Sequence, residues 1–212
     1  MATNIRLILK NLLGFYDFSG KIVVSVGAGG GQLAEYGRNA AKIIAVDNDR
    51  SALEKLRIRL LETGLTERFE LVEGDFISMD FRVDAVLFEF CLHEIGSPGE
   101  AVRRALNSAP EVLVLDHLPG SEWAYYAAEE EKVAGSWRAL DQFVFARYSS
   151  FLAEQHFADY GELYEKVKNQ GETSIRRIEM FRNRDNIRFP MPYALALIRR
   201  LDSDTEAQDV DP

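Results

Sequence analysis

The chain has 212 residues, 47% hydrophobic and 28% charged, the balance of a globular domain large enough to bury a core. A formal net charge of −9 weighs against a nucleic-acid binder, which needs a basic face. The lone Cys91 excludes an internal disulfide, no apolar run reaches the roughly 20 residues that span a bilayer, and Arg6 and Lys10 interrupt the N-terminal apolar stretch that a signal peptide would need. A cytoplasmic protein is the expectation.

Residues 1–20 carry Ile5, Ile8, Leu9, Leu12, Leu13 and Phe15 at near-helical spacing, which predicts an amphipathic helix laid against the domain. A membrane-surface helix is the sharper alternative, weakly supported by two basic residues. Ile22, Val23, Val24 and Val26 then form a nearly continuous β-branched run, as in a parallel strand covered on both faces. Gly27, Gly29 and Gly31 follow and predict a sharp turn that comes close to a ligand, with the first turns of a helix over Gln32–Gly37. A second strand, Ile43–Val46, ends in Asp47, whose carboxylate can accept two hydrogen bonds from a ribose diol. Glycine turn plus acid makes a nucleoside-binding half-site.

Asn48 or Asp49 caps a helix with Leu53, Leu56, Leu60 and Leu61 on one face, stopped by Gly64. Short strands are predicted at Phe69–Val72, Val83–Phe90 and Glu111–Asp116, with a helix from Pro98 to about Ser108. Residues 119–170 are expected to be mostly helical, over Glu122–Ala146 and again over Phe157–Lys168. Ile175–Phe181 and Tyr193–Ile198 are expected as two final strands, joined by a polar loop that includes Pro190 and Pro192. The acidic tail 202–212 is expected to be disordered.

This order predicts an α/β fold, a doubly wound and mostly parallel sheet with helices on both faces. Ligands in such sheets sit beyond the carboxyl ends of the strands. Gly27–Gly31, Asp47, Asp75, Phe90–Glu94 and Asp116–His117 all fall there.

With these residues in place the chain resembles the class I S-adenosylmethionine-dependent methyltransferases, over about residues 21–116. Gly27-Ala28-Gly29-Gly30-Gly31 is similar to the family's G-x-G-x-G turn, Asp47 to its ribose-binding acid, and Asp75 with Phe76 to its adenine-contacting pair. Asp84-Ala85-Val86 through Leu92-His93-Glu94 is similar to the fourth-strand signature of the small-molecule branch. The resemblance implies a seven-stranded sheet closed by a C-terminal antiparallel hairpin, with a methyltransferase domain over 21–201 and a helical lid insertion over about 118–170. It implies S-adenosyl-L-methionine as cofactor, held by Ser25, Gly27, Gly29, Gly31, Asp47, Asn48, Asp75, Phe76 and Phe90. The family commonly has an acid two residues before the first glycine, where this chain has Ser25.

The implied reaction is methyl transfer to a small-molecule acceptor, without nucleic acid or membrane. His93 and His117 are the candidate catalytic residues, and Glu94, Trp123 and Tyr126 the candidate acceptor contacts. Glu89, His93, Glu94, Asp116 and His117 lack diagnostic metal spacing, and no metal is expected. Glu129-Glu130-Glu131 is expected to be a solvated helix face. The N-terminal helix and the lid are surfaces through which a homodimer could form. Two alternatives stay open: a non-catalytic S-adenosylmethionine-binding protein, and an NAD(P)-dependent oxidoreductase, since Gly29-x-Gly31-x-x-Ala34 fits the loose dinucleotide pattern.

Overall fold

In the computed structural model, residues 4–200 are described. Strands β1 (Ile22–Val26), β2 (Lys42–Asp47), β3 (Phe69–Glu73), β4 (Ala85–Glu89) and β5 (Glu111–His117) are parallel neighbours. Two long strands, β6 (Phe145–Asp159) and β7 (Asp185–Arg199), close the sheet antiparallel in the order β3-β2-β1-β4-β5-β7-β6. This is the predicted seven-stranded α/β sheet with its antiparallel end.

The period-2 pleat sorts the apolar strand residues into two cores. Val23, Ala45, Leu87 and Leu113 face α1 (Ile5–Phe15) and α2 (Arg50–Thr63). Val24, Val46, Phe88 and Val112 face α3 (Pro98–Ser108) and α5 (Glu130–Leu140). Helix α1 buries Ile8, Leu12 and Phe15 on the first face, so its apolar stripe is spent on the domain rather than on a lipid surface. Asn11 Nδ2 donates to the Tyr193 hydroxyl at 2.8 Å, and Arg147 donates to the Phe15 carbonyl at 2.7 Å, fixing its angle. Among the described residues no helix is long and apolar enough to cross a membrane.

Three predictions fail locally. After the glycines the chain makes a six-residue 3-10 turn, Ala34–Asn39, in place of an α-helix, with Gly37 pressed against Ile43 and Phe69. Part of the block expected to be helical is strand β6, where Ala153, Gln155 and Phe157 point inward at period 2. Conversely, Ile175–Phe181, expected as a strand, lies in α7 (Glu172–Ile178) and a following 3-10 turn. Its buried residues Ser174, Ile178 and Phe181 have the i, i+4, i+7 spacing of a helix. The hairpin partner of β7 is therefore β6. Pro190 and Pro192 sit inside β7, in the portion that pairs with β6 and lies beyond the reach of β5, where a missing N–H breaks no ladder on the open side.

Residues 118–170 are consequently not one helical insertion. They divide into α4 (Glu122–Tyr126), α5, strand β6 and α6 (Tyr160–Val167). The outer half of the β6–β7 ribbon, with α4, α6 and α7, builds a cap beyond the carboxyl end of β5. Trp123, Tyr126, Phe157, Phe181 and Phe189 form its aromatic core, with ring centroids 4.5–6.2 Å apart along the contacts through Phe189. The tail expected to be disordered lies outside the described residues.

Candidate active site

At the end of β1, Gly27 and Gly31 both take φ +69°, a conformation costly for any side chain. A Cβ on Gly27 would stand 2.4 Å from Cys91 Cβ, and one on Gly31 would stand 2.3 Å from Leu56 Cδ1. Gly29, at φ +52°, instead faces open space, with no atom nearer than the Gly27 carbonyl at 3.8 Å. Asp47 stabilises the turn from β2: Oδ2 accepts the Gly29 N–H and Oδ1 the Asp49 N–H, both at 2.9 Å. Each carboxylate oxygen retains a lone pair for a ligand.

Two cavities flank this turn and share Gly27 and Glu94. The smaller, about 280 Å³, is lined by Asp47, Asn48, Gly74, Asp75 and Phe76. Asp75 Oδ1 accepts the Ile77 N–H at 3.0 Å, which locks the turn after β3. The larger, about 410 Å³, runs from Gly27–Gly30 past Glu89, Phe90, His93 and His117 to Trp123, Gln155 and Met191 of the cap. Ile5 and Ile8 of α1 close one side, and Lys166 and Gln170 another. Phe90 enters it with φ +50°, unusual for an aromatic residue, and its ring lies 4.9 Å from that of His117.

The larger cavity concentrates buried titratable groups. His93 Nδ1 lies 2.6 Å from Asp116 Oδ1, and His93 Nε2 lies 3.6 Å from Glu94 Oε1 and 3.7 Å from Glu129 Oε2. Burial alone would lower the His93 pKa, but Asp116 and Glu129, through hydrogen bonding and charge, lift it to about 10. His117 is pushed the other way, to about 4, by burial first, with the positive charge of His93 adding to it against the pull of Asp116. Its Nδ1 has no hydrogen-bond partner among the described residues. Glu89 is raised to about 8 by burial, with Asp47 adding to the rise and the Ser25 hydroxyl opposing it. Three neighbouring groups are thus displaced in a concave site, the pattern of a functional centre.

Of the residues expected at the site, Gly27, Gly29, Asp47, Asn48, Asp75, Phe76, Phe90, His93, Glu94, His117 and Trp123 line one or other cavity. Three do not. Ser25 is fully buried beneath the turn, Gly31 packs on Leu56, and Tyr126 belongs to the cap core against Phe181 and Phe189. Glu129 corrects the expected solvated face: its side chain is 13% exposed, turned toward His93, and accepts from Gln170 Nε2 at 2.7 Å. Only Glu131 of that run is exposed, since Glu130 pairs with Arg177 at 2.6 Å. His93, Glu94 and Glu129 place ligand atoms within 4.8 Å of one another, close enough for a cation, although Lys132 already pairs with Glu94 at 2.6 Å. Sequence reasoning missed Gln155, Lys166, Gln170 and Met191, which arrive from separate elements and share no local pattern.

These residues fit a nucleoside with an amino-acid arm. Two acids and an amide side chain with a buried aromatic line one cavity, an uncovered glycine backbone links it to the next, and the buried carboxyl group of Glu89 lies there. A dinucleotide fits less well, because a pyrophosphate needs the N-terminus of a full helix and only a 3-10 turn follows the glycines.

Residues 24–113 match the family model described as a methyltransferase domain. No curated protein matches the chain by sequence. A provisionally assigned methyltransferase from Bacillus halodurans C-125 superposes with a TM-score of 0.65 at 15% identity, over 94% of this chain and 99% of the other. A S-adenosylmethionine-dependent methyltransferase from Aquifex aeolicus gives 0.61 at 15%, over 93% and 94%. The [4+2]-cyclase SpnF gives 0.61 at 18%, over 92% and 81%, so the same fold also carries other chemistry. At these identities the superpositions establish the fold, and the domain match covers residues 24–113. Residues 24–113 thus match a methyltransferase domain, and the sheet order and glycine turn give the chain the fold of the class I S-adenosylmethionine-dependent methyltransferases, a match that implies S-adenosylmethionine as cofactor.

Proposed function

We propose that the chain methylates a small protic molecule held in the larger cavity, between the glycine turn and the cap. The carrying observation is a half-open cleft: α1, the β6–β7 ribbon and α4 line a space of about 410 Å³ in which Trp123 supplies an apolar wall and His93 and His117 the polar end. A polynucleotide would need a basic approach, and the net charge of −9 disfavours it. Asp47 and Asn48 would hold the ribose, Asp75 and Phe76 the adenine, and the Gly27–Gly30 backbone with Glu89 the amino-acid arm. When bound, the cofactor supplies a methyl group on a positively charged sulfur.

The residues around the acceptor then align it, exclude water and accept its proton. That methyl group would pass to the acceptor's lone pair, with the cofactor leaving as its neutral thioether. The proton that the methylated acceptor must lose passes to the neutral His117. A weak base suffices for a hydroxyl acceptor, because the newly alkylated oxygen is a strongly acidic oxonium; a methylated amine keeps its proton and leaves as the ammonium. His93, held protonated by Asp116, orients the acceptor through Nε2–H and does not take its proton.

Production of S-adenosylhomocysteine with a library of small hydroxyl, amine and thiol nucleophiles tests this. Turnover with RNA alone would overturn the small-molecule assignment. Tight S-adenosylmethionine binding with no turnover on any acceptor would favour the non-catalytic alternative.

A further inference from the structure

Ser25 leaves the end of β1 without a carboxylate, and its side chain reaches neither cavity. The missing charge has a counterpart on the adjacent strand. In the β1–β4 register Ser25 stands opposite Leu87, so Glu89 projects from the same sheet face one pleat further toward the ligand. Glu89 is 9% exposed and lines the larger cavity beside Gly27 and Gly29. The hydrogen bond it accepts from Ser25 Oγ is a long one, 3.4 Å. No ion pair to Glu89 is found among the described residues, which leaves a buried carboxyl in a ligand cavity without a cation.

The geometry points to Glu89 as the group that binds the ammonium of the S-adenosylmethionine amino-acid arm, in place of the acid absent at position 25, and that sheds its proton as the ligand enters. This rests on the cofactor assignment above. The Glu89 O–H bond breaks, the proton goes to solvent, and a carboxylate–ammonium pair replaces the neutral carboxyl. Burial already favours the neutral form in the empty site, with a pKa of about 8, and an incoming cation reverses that preference.

The titratable groups around Glu89 come from several elements. From the 3-10 turn, Tyr36 is held neutral by burial, and Cys91, just past β4, likewise. Across the cavity His117 is neutral and His93 cationic. Asp47 on β2, with Glu94, Glu129 and Lys166 at the cavity wall, completes the charged surroundings. Because the ligand pairs with the ionised form, affinity should rise with pH up to about 8, close to tenfold per unit, and level off above it.

Calorimetric titration from about pH 6.5 to 8.5, in buffers of different ionisation enthalpy, tests the inference. S-adenosylhomocysteine keeps the ammonium, and methylthioadenosine lacks the whole amino-acid arm. Wild-type protein should release close to one proton per S-adenosylhomocysteine at neutral pH. Glu89→Gln should weaken that ligand about tenfold or more, abolish proton release and the pH slope, and leave methylthioadenosine unaffected. Adding Ser25→Asp to Glu89→Gln should restore S-adenosylhomocysteine binding. Wild-type affinity and proton release in Glu89→Gln would overturn the inference, as would equal loss of both ligands, which would mark Glu89 as a support of the turn. Failure of the wild-type protein to bind either ligand would overturn the cofactor assignment itself.

Discussion

His93 and Asp116 are joined twice: Asp116 Oδ1 lies 2.6 Å from His93 Nδ1, and Oδ2 accepts the His93 backbone N–H at 3.0 Å. The first contact fixes the ring and its charge, and the second fixes the 3-10 turn Leu92–Glu94 that carries it. Asp116 is itself 1% exposed, so its charge is poorly screened by water. The pair makes His93 a buried cation at neutral pH, not a base.

Asp116→Asn should therefore free His93 to titrate nearer to the ordinary histidine range, and reduce turnover about ten- to a hundredfold. Nitrogen-15 NMR of the imidazole reads the first effect directly. Wild-type His93 should keep both ring protons beyond pH 8, and titration of the wild-type ring near 6.5 would contradict the structure.

His117 is the opposite case. His117→Ala should lower kcat on the order of a hundredfold or more while leaving the dissociation constant for S-adenosylhomocysteine unchanged. Equal effects on kcat and cofactor affinity would assign His117 to binding.

Stability should depend on pH in two limbs. The His93 pKa is raised to about 10 in the folded state, so its contribution is present below the ordinary histidine value and is lost as pH climbs toward 10. Glu89, raised to about 8, loses its contribution in the same direction, but beginning from the ordinary carboxylate range. His117, lowered to about 4, contributes stability above the ordinary histidine value and loses it as pH falls toward 4. Urea midpoints should decline from about pH 7 to 10, and His93→Gln should flatten that decline.

The glycines should separate sharply by position. Gly27→Ala meets Cys91 and a positive φ, and should cost about 1–3 kcal/mol of stability together with most cofactor affinity. Gly14→Ala, in α1 with nothing within 4 Å of the new Cβ, should stabilise by about 0.5–1 kcal/mol. Thermal melts with and without S-adenosylhomocysteine would measure both.

What the sequence determined by itself is what repeats locally. The apolar runs of β1, β2, β4 and β5 announce strands buried on both faces. The glycines after β1, the acids after β2 and β3 and the histidine after β4 are each legible because strand ends of a parallel sheet share one edge. Tertiary structure decided the rest, for identifiable physical reasons. β6 mixes helix formers with aromatics, and becomes a strand because β7 offers it a ladder and the cap buries Ala153, Gln155 and Phe157 on one face. Ser174, Ile178 and Phe181 have helical spacing, but a serine does not read as a core residue until packing buries it. Ser25 and Glu89 are separated by 64 positions, yet adjacent strands put them in hydrogen-bond contact. Glu129 looks solvated from its neighbours Glu130 and Glu131, and is turned inward only because α5 begins beside the His93 turn. Local period names the elements, and long-range register decides which charges meet.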